Sequence, residues 1–211
     1  VKMAAISSGL AVGGEVQRGN DHVAEAIRRH PDRLIGYCHV GVAMGDQMVP
    51  ELKRCFALRG FRGIKVYQQG KPYDHALFEP VWEYARRRKT PVLAHTWAGD
   101  LTGMDRAAAK YPDVPFLLAH VGSGTVCESY VEAARKCPNI YIDLTYSREN
   151  TGMIEYLVAT LGSGRIVWGT DAPVFSMSHQ LSKLLFARID DADKRKILYD
   201  TAAHLFGLIR E

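Results

Sequence analysis

Seven short runs of apolar, mostly β-branched residues, each separated from the next by a stretch of helical period, constrain this 211-residue chain more than any other feature. The runs are MAAIS (Met3 to Ser7), LIGYCHV (Leu34 to Val40), GIKVY (Gly63 to Tyr67), VLAH (Val92 to His95), FLLAH (Phe116 to His120), IYIDL (Ile140 to Leu144) and IVWG (Ile166 to Gly169). Between them Leu77, Val81 and Tyr84, or Ile154, Leu157, Val158 and Leu161, recur at the spacing that puts side chains on one helical face. Pro31, Pro112 and Pro138 end helical stretches and lead into the next strand. Two further helices are expected near the end, Ser178 to Arg188 and Asp191 to Phe206, the second stopping at Gly207.

Repeated βα units require a parallel sheet, either open and doubly wound or closed as a (β/α)₈ barrel. A nucleotide-binding open sheet should carry a Gly-rich turn after its first strand. SSGLAVGGE has glycines without the G-x-G-x-x-G spacing, and no G-x-x-x-x-G-K-[ST] occurs. The stretch SSGLAVGGEVQRGN is expected to be a mobile rim loop or lid.

Length and composition fit one domain spanning 1–211, since 47% hydrophobic residues support a single sizeable core. The net charge of +4 is dispersed, and the densest basic run, RRRK (Arg86 to Lys89), suits a helix C-terminus better than nucleic acid. Cys38, Cys55, Cys127 and Cys137 lack C-x-x-C spacing and read as core filler. With neither a signal peptide nor a bilayer-spanning apolar run, the expected setting is cytoplasmic, with no membrane or nucleic-acid partner.

Barrel chemistry gathers at the carboxyl ends of several strands, and reactive residues do so here. Lys65 lies near the end of the third run, His95 ends the fourth, His120 ends the fifth and Asp171 follows the seventh in RIVWGTDAP. Side-chain alternation puts Leu93 with His95, and Phe116 and Leu118 with His120, on faces that can point at the barrel axis. Imidazole nitrogens and carboxylate oxygens suit Zn²⁺ and its neighbours. Independent turns have no reason to place two histidines and an aspartate at equivalent points of separate units. His22, His30, His75 and His179 lie in polar stretches and read as surface residues, and His39 reads as a bystander.

PVLAHTW, FLLAHVGSG, IYIDLTYS, IVWGTDAP and the closing ILYDTAAHLFGL together resemble the amidohydrolase-related family of metal-dependent hydrolases, in the aminocarboxymuconate semialdehyde decarboxylase-like branch. The resemblance implies a (β/α)₈ TIM barrel with one divalent metal, Zn or alternatively Mn, at its carboxyl rim. It implies that His95 is a metal ligand, His120 the catalytic histidine, and Asp171 an acid that binds the metal or handles a proton. The family's opening strand carries His-x-His, which this sequence lacks; KMAAISS looks like the family's second strand. The expectation is therefore a barrel with seven of its βα units in this sequence.

The leading expectation is a metal-dependent hydrolase of a small lactone, ester or amide derived from an organic acid. The first alternative is a metal-dependent decarboxylase of an unsaturated or aromatic carboxylate. The second is an inactive barrel serving as a binding or scaffold protein. Lys65 and Arg148 are candidates to pair with a substrate carboxylate, and a homo-oligomer is expected.

Overall fold

The computed structural model describes residues 1–123, 127–145 and 151–209. All seven expected strands form: β1 (Ala4–Ile6), β2 (Leu34–Gly41), β3 (Phe61–Tyr67), β4 (Val92–Ala94), β5 (Phe116–Leu118), β6 (Ile140–Asp143) and β7 (Ile166–Val167). They make one parallel sheet in sequence order, β1 to β7, as successive right-handed βα units require. The register carries Lys65 on β3 beside His39 on β2 and beside Leu93 on β4.

The sheet has two apolar faces, and each buries a different set of residues. On the helical side Cys38, Val40, Ile64, Val66, Val92, Phe116, Leu118 and Ile142 pack against Leu52, Trp82, Tyr130 and Leu157 of the surrounding helices. The opposite face is concave. There Ile35 and Tyr37 of β2 meet Phe206, and Leu117 and Val167 meet Leu205, with Leu93 and Ala202 joining both groups. The edge of the Phe206 ring meets Tyr37 with centroids 5.5 Å apart at 77°, an arrangement worth about 0.5–1.5 kcal/mol beyond area burial. Gly63 makes this possible, because a Cβ there would lie 2.6 Å from the Tyr37 ring and 3.1 Å from Phe206.

Helices α2 (Val16–Arg29), α3 (Met48–Ala57), α4 (Glu79–Arg88), α5 (Met104–Lys110), α6 (Glu128–Lys136), α7 (Met153–Leu161) and α8 (Met177–Leu185) fill the intervals. In α4 the last turn holds Arg86, Arg87 and Arg88, and Lys89 closes it in the left-handed conformation, so the basic run caps a helix as expected. The stretch from Ser7 to Asn20 is not a loop. It folds as α1 (Gly9–Val12), capped by the Ser8 hydroxyl accepting from Leu10 N–H at 3.3 Å, and the start of α2. Gly19 is there for packing: a Cβ would come within 2.6 Å of Ala11 Cβ.

The expected helix from Asp191 to Phe206 is also modified. It runs as α9 (Asp191–Arg195), a π-helical turn (Lys196–Asp200) and α10 (Thr201–Leu205). The wider turn frees the Ile197 carbonyl to accept from Trp168 N–H at 3.1 Å while Ile197 stays buried and Leu205 and Phe206 enter the concave face. Among the described residues no helix is long and apolar enough to cross a membrane. The four cysteines are free, three of them buried.

Candidate active site

The inner face of the sheet ends at its carboxyl rim in charged and aromatic residues. Their positions depend on local backbone as well as strand parity. His95 continues the Leu93 side and reaches the interior by alternation. His120 does not. Phe116 and Leu118, which share its parity, pack toward the helices, so alternation alone would send His120 outward. A left-handed conformation at His120 (φ 67°) ends β5 and swings the ring back to His95. Asp171 (φ 53°) takes the same conformation after β7, and Gln69 (φ 46°) and Ala98 (φ 51°) do so after β3 and β4. Such strained non-glycine residues concentrate at functional sites.

His120 Nε2 lies 3.1 Å from His95 Nδ1, and His120 Nδ1 lies 3.3 Å from the Thr145 carbonyl. A carbonyl can only accept, so His120 carries its proton on Nδ1, its bare Nε2 accepts from His95 Nδ1–H, and the lone pair of His95 Nε2 is left over. Both rings are held neutral. Burial first, then the Lys65 charge, pushes His95 down to about 4, and burial, Lys65 and His95 push His120 down to about 3. Two aromatic rings border the pair. Tyr67 stacks on His95 at 4.2 Å, and Trp97, 44% exposed, lies nearly parallel to His95 at 6.1 Å and edge-on to His120 at 5.6 Å.

Lys65 stands at the centre, with only 8% of its surface exposed. Burial lowers its pKa, and the carboxylates of Asp143 and Asp171 oppose that shift. Among the described residues it has no ion pair shorter than 4.0 Å, and its charge acts on His39, His95 and His120. Asp143 is the site residue that sequence reasoning missed. It ends β6, is buried, and accepts from Thr145 N–H at 2.6 Å, while burial raises its pKa. Gly169 leaves room for it, since a Cβ there would overlap Thr145 Oγ1 and approach Asp143 Oδ1 to 3.1 Å. The one available signal was a carboxylate inside an otherwise apolar strand, in IYIDL.

Of the expected residues, His95 and His120 meet and Lys65 and Asp171 interact electrostatically. Asp171 and the two histidines do not converge closely: among the described residues, no group of three donors within 4.8 Å of one another contains them. Asp171 instead sits exposed at the rim, in the left-handed conformation. Arg148 lies outside the described residues. The group that does satisfy the 4.8 Å condition, Cys38, Glu51 and Cys55, sits on the helical side. Its carboxylate already accepts from Arg54 and Asn20, at 2.8 Å each, which makes it a closed internal network. His39, expected to be a bystander, is fully buried at the level of Lys65.

A sequence model of the amidohydrolase family, Amidohydro_2, matches residues 2–208. The chain belongs to this amidohydrolase family. It is 23% identical to gamma-resorcylate decarboxylase of Polaromonas sp. over 262 residues, covering 98% of this chain and 80% of that protein. A crystal structure of 2,6-dihydroxybenzoate decarboxylase complexed with 2,6-dihydroxybenzoate shares the fold with a TM-score of 0.76 at 21% identity, over 92% of this chain and 76% of the other. A dihydroxybenzoic acid decarboxylase from Polaromonas sp. with bound manganese and the inhibitor 2-nitroresorcinol also superposes with a TM-score of 0.76, at 22% identity over 98% of this chain and 79% of the other. These amidohydrolase relatives are decarboxylases of aromatic carboxylates. They favour the decarboxylase alternative over the hydrolase expected first.

Proposed function

We propose that the chain is a metal-dependent decarboxylase of a small aromatic carboxylate. The observation that carries the reading is the neutral His95–His120 pair set beside the partly exposed Trp97 and the Tyr67 ring. A planar substrate can lie against the aromatic surface with its carboxylate at the histidines, and a flat apolar slot with few polar groups is how such ligands are held. His95 Nε2 and the Asp171 carboxylate are the donors that would hold a divalent metal, and the nitrogen and oxygen set suits Mn²⁺ or Zn²⁺. When bound, the metal would supply a Lewis acid that holds and polarises the substrate carboxylate. These are two donors, where catalytic zinc sites normally have three from protein.

The chain's own residues account for the proton. Lys65 attracts the anionic substrate toward the histidines. His120 Nε2, which accepts from His95 Nδ1–H in the resting site, exchanges that partner for a proton from the substrate or solvent and delivers it to the ring carbon that loses its carboxylate. The C–C bond breaks, its electron pair stays on the ring carbon, that carbon gains the proton, and carbon dioxide leaves. Thr145 keeps His120 in the required tautomer, as a partner carbonyl does for a general acid–base imidazole. Asp143 and Asp171 balance the Lys65 charge.

The test is to supply the protein with Mn²⁺ or Zn²⁺ and follow carbon dioxide release from a panel of benzoates, 2,6-dihydroxybenzoate included, beside a panel of lactones and esters. Release from at least one benzoate is expected. Turnover confined to lactones or esters would overturn the proposal.

A further inference from the structure

Two routes hold His120, and both pass through Asp143 at the end of β6. Along the main chain, the Asp143 carbonyl accepts at 3.2 Å from the N–H of Val121, the residue that follows His120. Through its side chain, Asp143 Oδ1 reaches forward two residues and accepts from Thr145 N–H at 2.6 Å. That bond closes a turn of the kind aspartate and asparagine make with their own backbone. It anchors the residue whose carbonyl accepts from His120 Nδ1–H at 3.3 Å. The Thr145 hydroxyl bonds to the same carboxylate, and on its far side Thr145 packs directly on the β7 end, where a Cβ at Gly169 would overlap Oγ1. The sheet does not need this carboxylate: Leu144 N–H already donates to Val167 O at 3.0 Å, which completes the ladder between β6 and β7.

We infer that Asp143 is a positioning residue for His120: by holding Thr145 in place it selects which nitrogen of each ring in the His95–His120 pair carries the proton. The bond between His120 Nε2 and His95 Nδ1 is compatible with two arrangements, since either nitrogen can be the donor. With the Thr145 carbonyl at His120 Nδ1, only the arrangement with His120 protonated on Nδ1 uses every partner. Without it the pair can reverse. His120 Nε2–H then donates to His95 Nδ1, and His95 carries its own proton on Nε2. Reversal would spoil both rings at once, because the acid–base nitrogen of His120 and the metal-binding nitrogen of His95 would each hold a proton. Asp143 thus does more than balance Lys65. Its charge and its geometry are separable, because asparagine keeps the acceptor without the charge and alanine keeps neither. The part Asp143 plays in turnover rests on the decarboxylase reading; the tautomer it imposes does not.

Ring ¹⁵N spectra of the metal-free protein, taken near neutral pH with a chelator present, read the tautomers directly, because protonated and bare imidazole nitrogens resonate far apart. In the unsubstituted protein both rings should carry their proton on Nδ1. In Asp143→Ala the ratio of Nδ1–H to Nε2–H at His120 should fall about tenfold, the worth of one hydrogen bond. In Asp143→Asn it should stay within about twofold of the unsubstituted ratio, since the acceptor for Thr145 N–H is kept. With metal and an aromatic carboxylate supplied, kcat should follow the tautomer, falling about tenfold in Asp143→Ala and recovering most of that loss in Asp143→Asn. KM should follow the charge beside Lys65 and change alike in both variants. An unaltered tautomer in Asp143→Ala overturns the inference, and so does an Asp143→Asn protein that behaves like Asp143→Ala. His120 protonated on Nε2 in the unsubstituted protein overturns it however the variants fold. The expected tautomers in a protein that releases carbon dioxide from no benzoate would uphold the positioning role and remove the decarboxylase reading.

Discussion

Acid should unfold this protein in a pH range where most proteins are untroubled. His39 and His120 are buried and His95 is half-buried, all three feel the Lys65 ammonium, and burial is the larger cause of the drop to about 4, 4 and 3 for His39, His95 and His120 from an ordinary 6.5. In the unfolded chain each takes up its proton as pH falls through 6.5. In the native protein none does until far lower. Between those limits the unfolded state binds more protons, so stability falls with falling pH by up to about 1.4 kcal/mol per pH unit per histidine. Going from pH 7.5 to 5.5 therefore costs about 1.4 kcal/mol for each of the three, or about 4 kcal/mol together, a large share of a typical 5–15 kcal/mol. Carboxylates with lowered pKa values, such as Asp74 and Glu155, lose their contribution only below their ordinary 3.8 and 4.5, outside this window. Asp143, raised by burial, works in the opposite sense: it takes up its proton earlier in the native state and offsets part of the loss. Urea unfolding at pH 7.5 and 5.5, at one ionic strength and with a chelator present, measures the difference. A change below about 1 kcal/mol would refute the claim that the three rings stay neutral in the native state.

Two substitutions probe the rest of the site. His120→Ala in the active enzyme should lower kcat by about 10²–10⁴-fold, the usual worth of acid–base help, with KM little changed and metal retained; loss of metal on dialysis would make His120 a ligand instead. Gly169→Ala should lower the melting temperature by about 4–8 °C, corresponding to roughly 2 kcal/mol of overpacking against Thr145 and Asp143; an unchanged melting curve would mean the Asp143 pocket is looser than the 3.1 Å approach implies.

The strands were legible because apolar β-branched runs and helical spacing are local signals, and the sheet order followed because parallel units leave few alternatives. What the sequence hid was decided by tertiary contact. Alternation placed His120 beside Phe116 and Leu118, and only the left-handed backbone after β5 reverses that. Asp143 passed for part of an apolar strand, since nothing local distinguishes a carboxylate facing Lys65 from one facing solvent. Glycines at the start suggested a loop, whereas Gly19 serves the contact of α2 with Ala11.

The placement of Leu205 and Phe206 has a consequence for how the molecule is made. These two residues cover Ile35, Tyr37, Leu117 and Val167, which are synthesised up to about 170 residues earlier. Contacts of such sequence separation form late and slow folding. On the ribosome the helical side of the sheet can assemble unit by unit while the concave side stays wet, and only arrival of α10 seals it. A nascent chain arrested before Thr201 should therefore hold its outer layer and bind a hydrophobic dye on the inner one, a target for chaperones until the final turn docks.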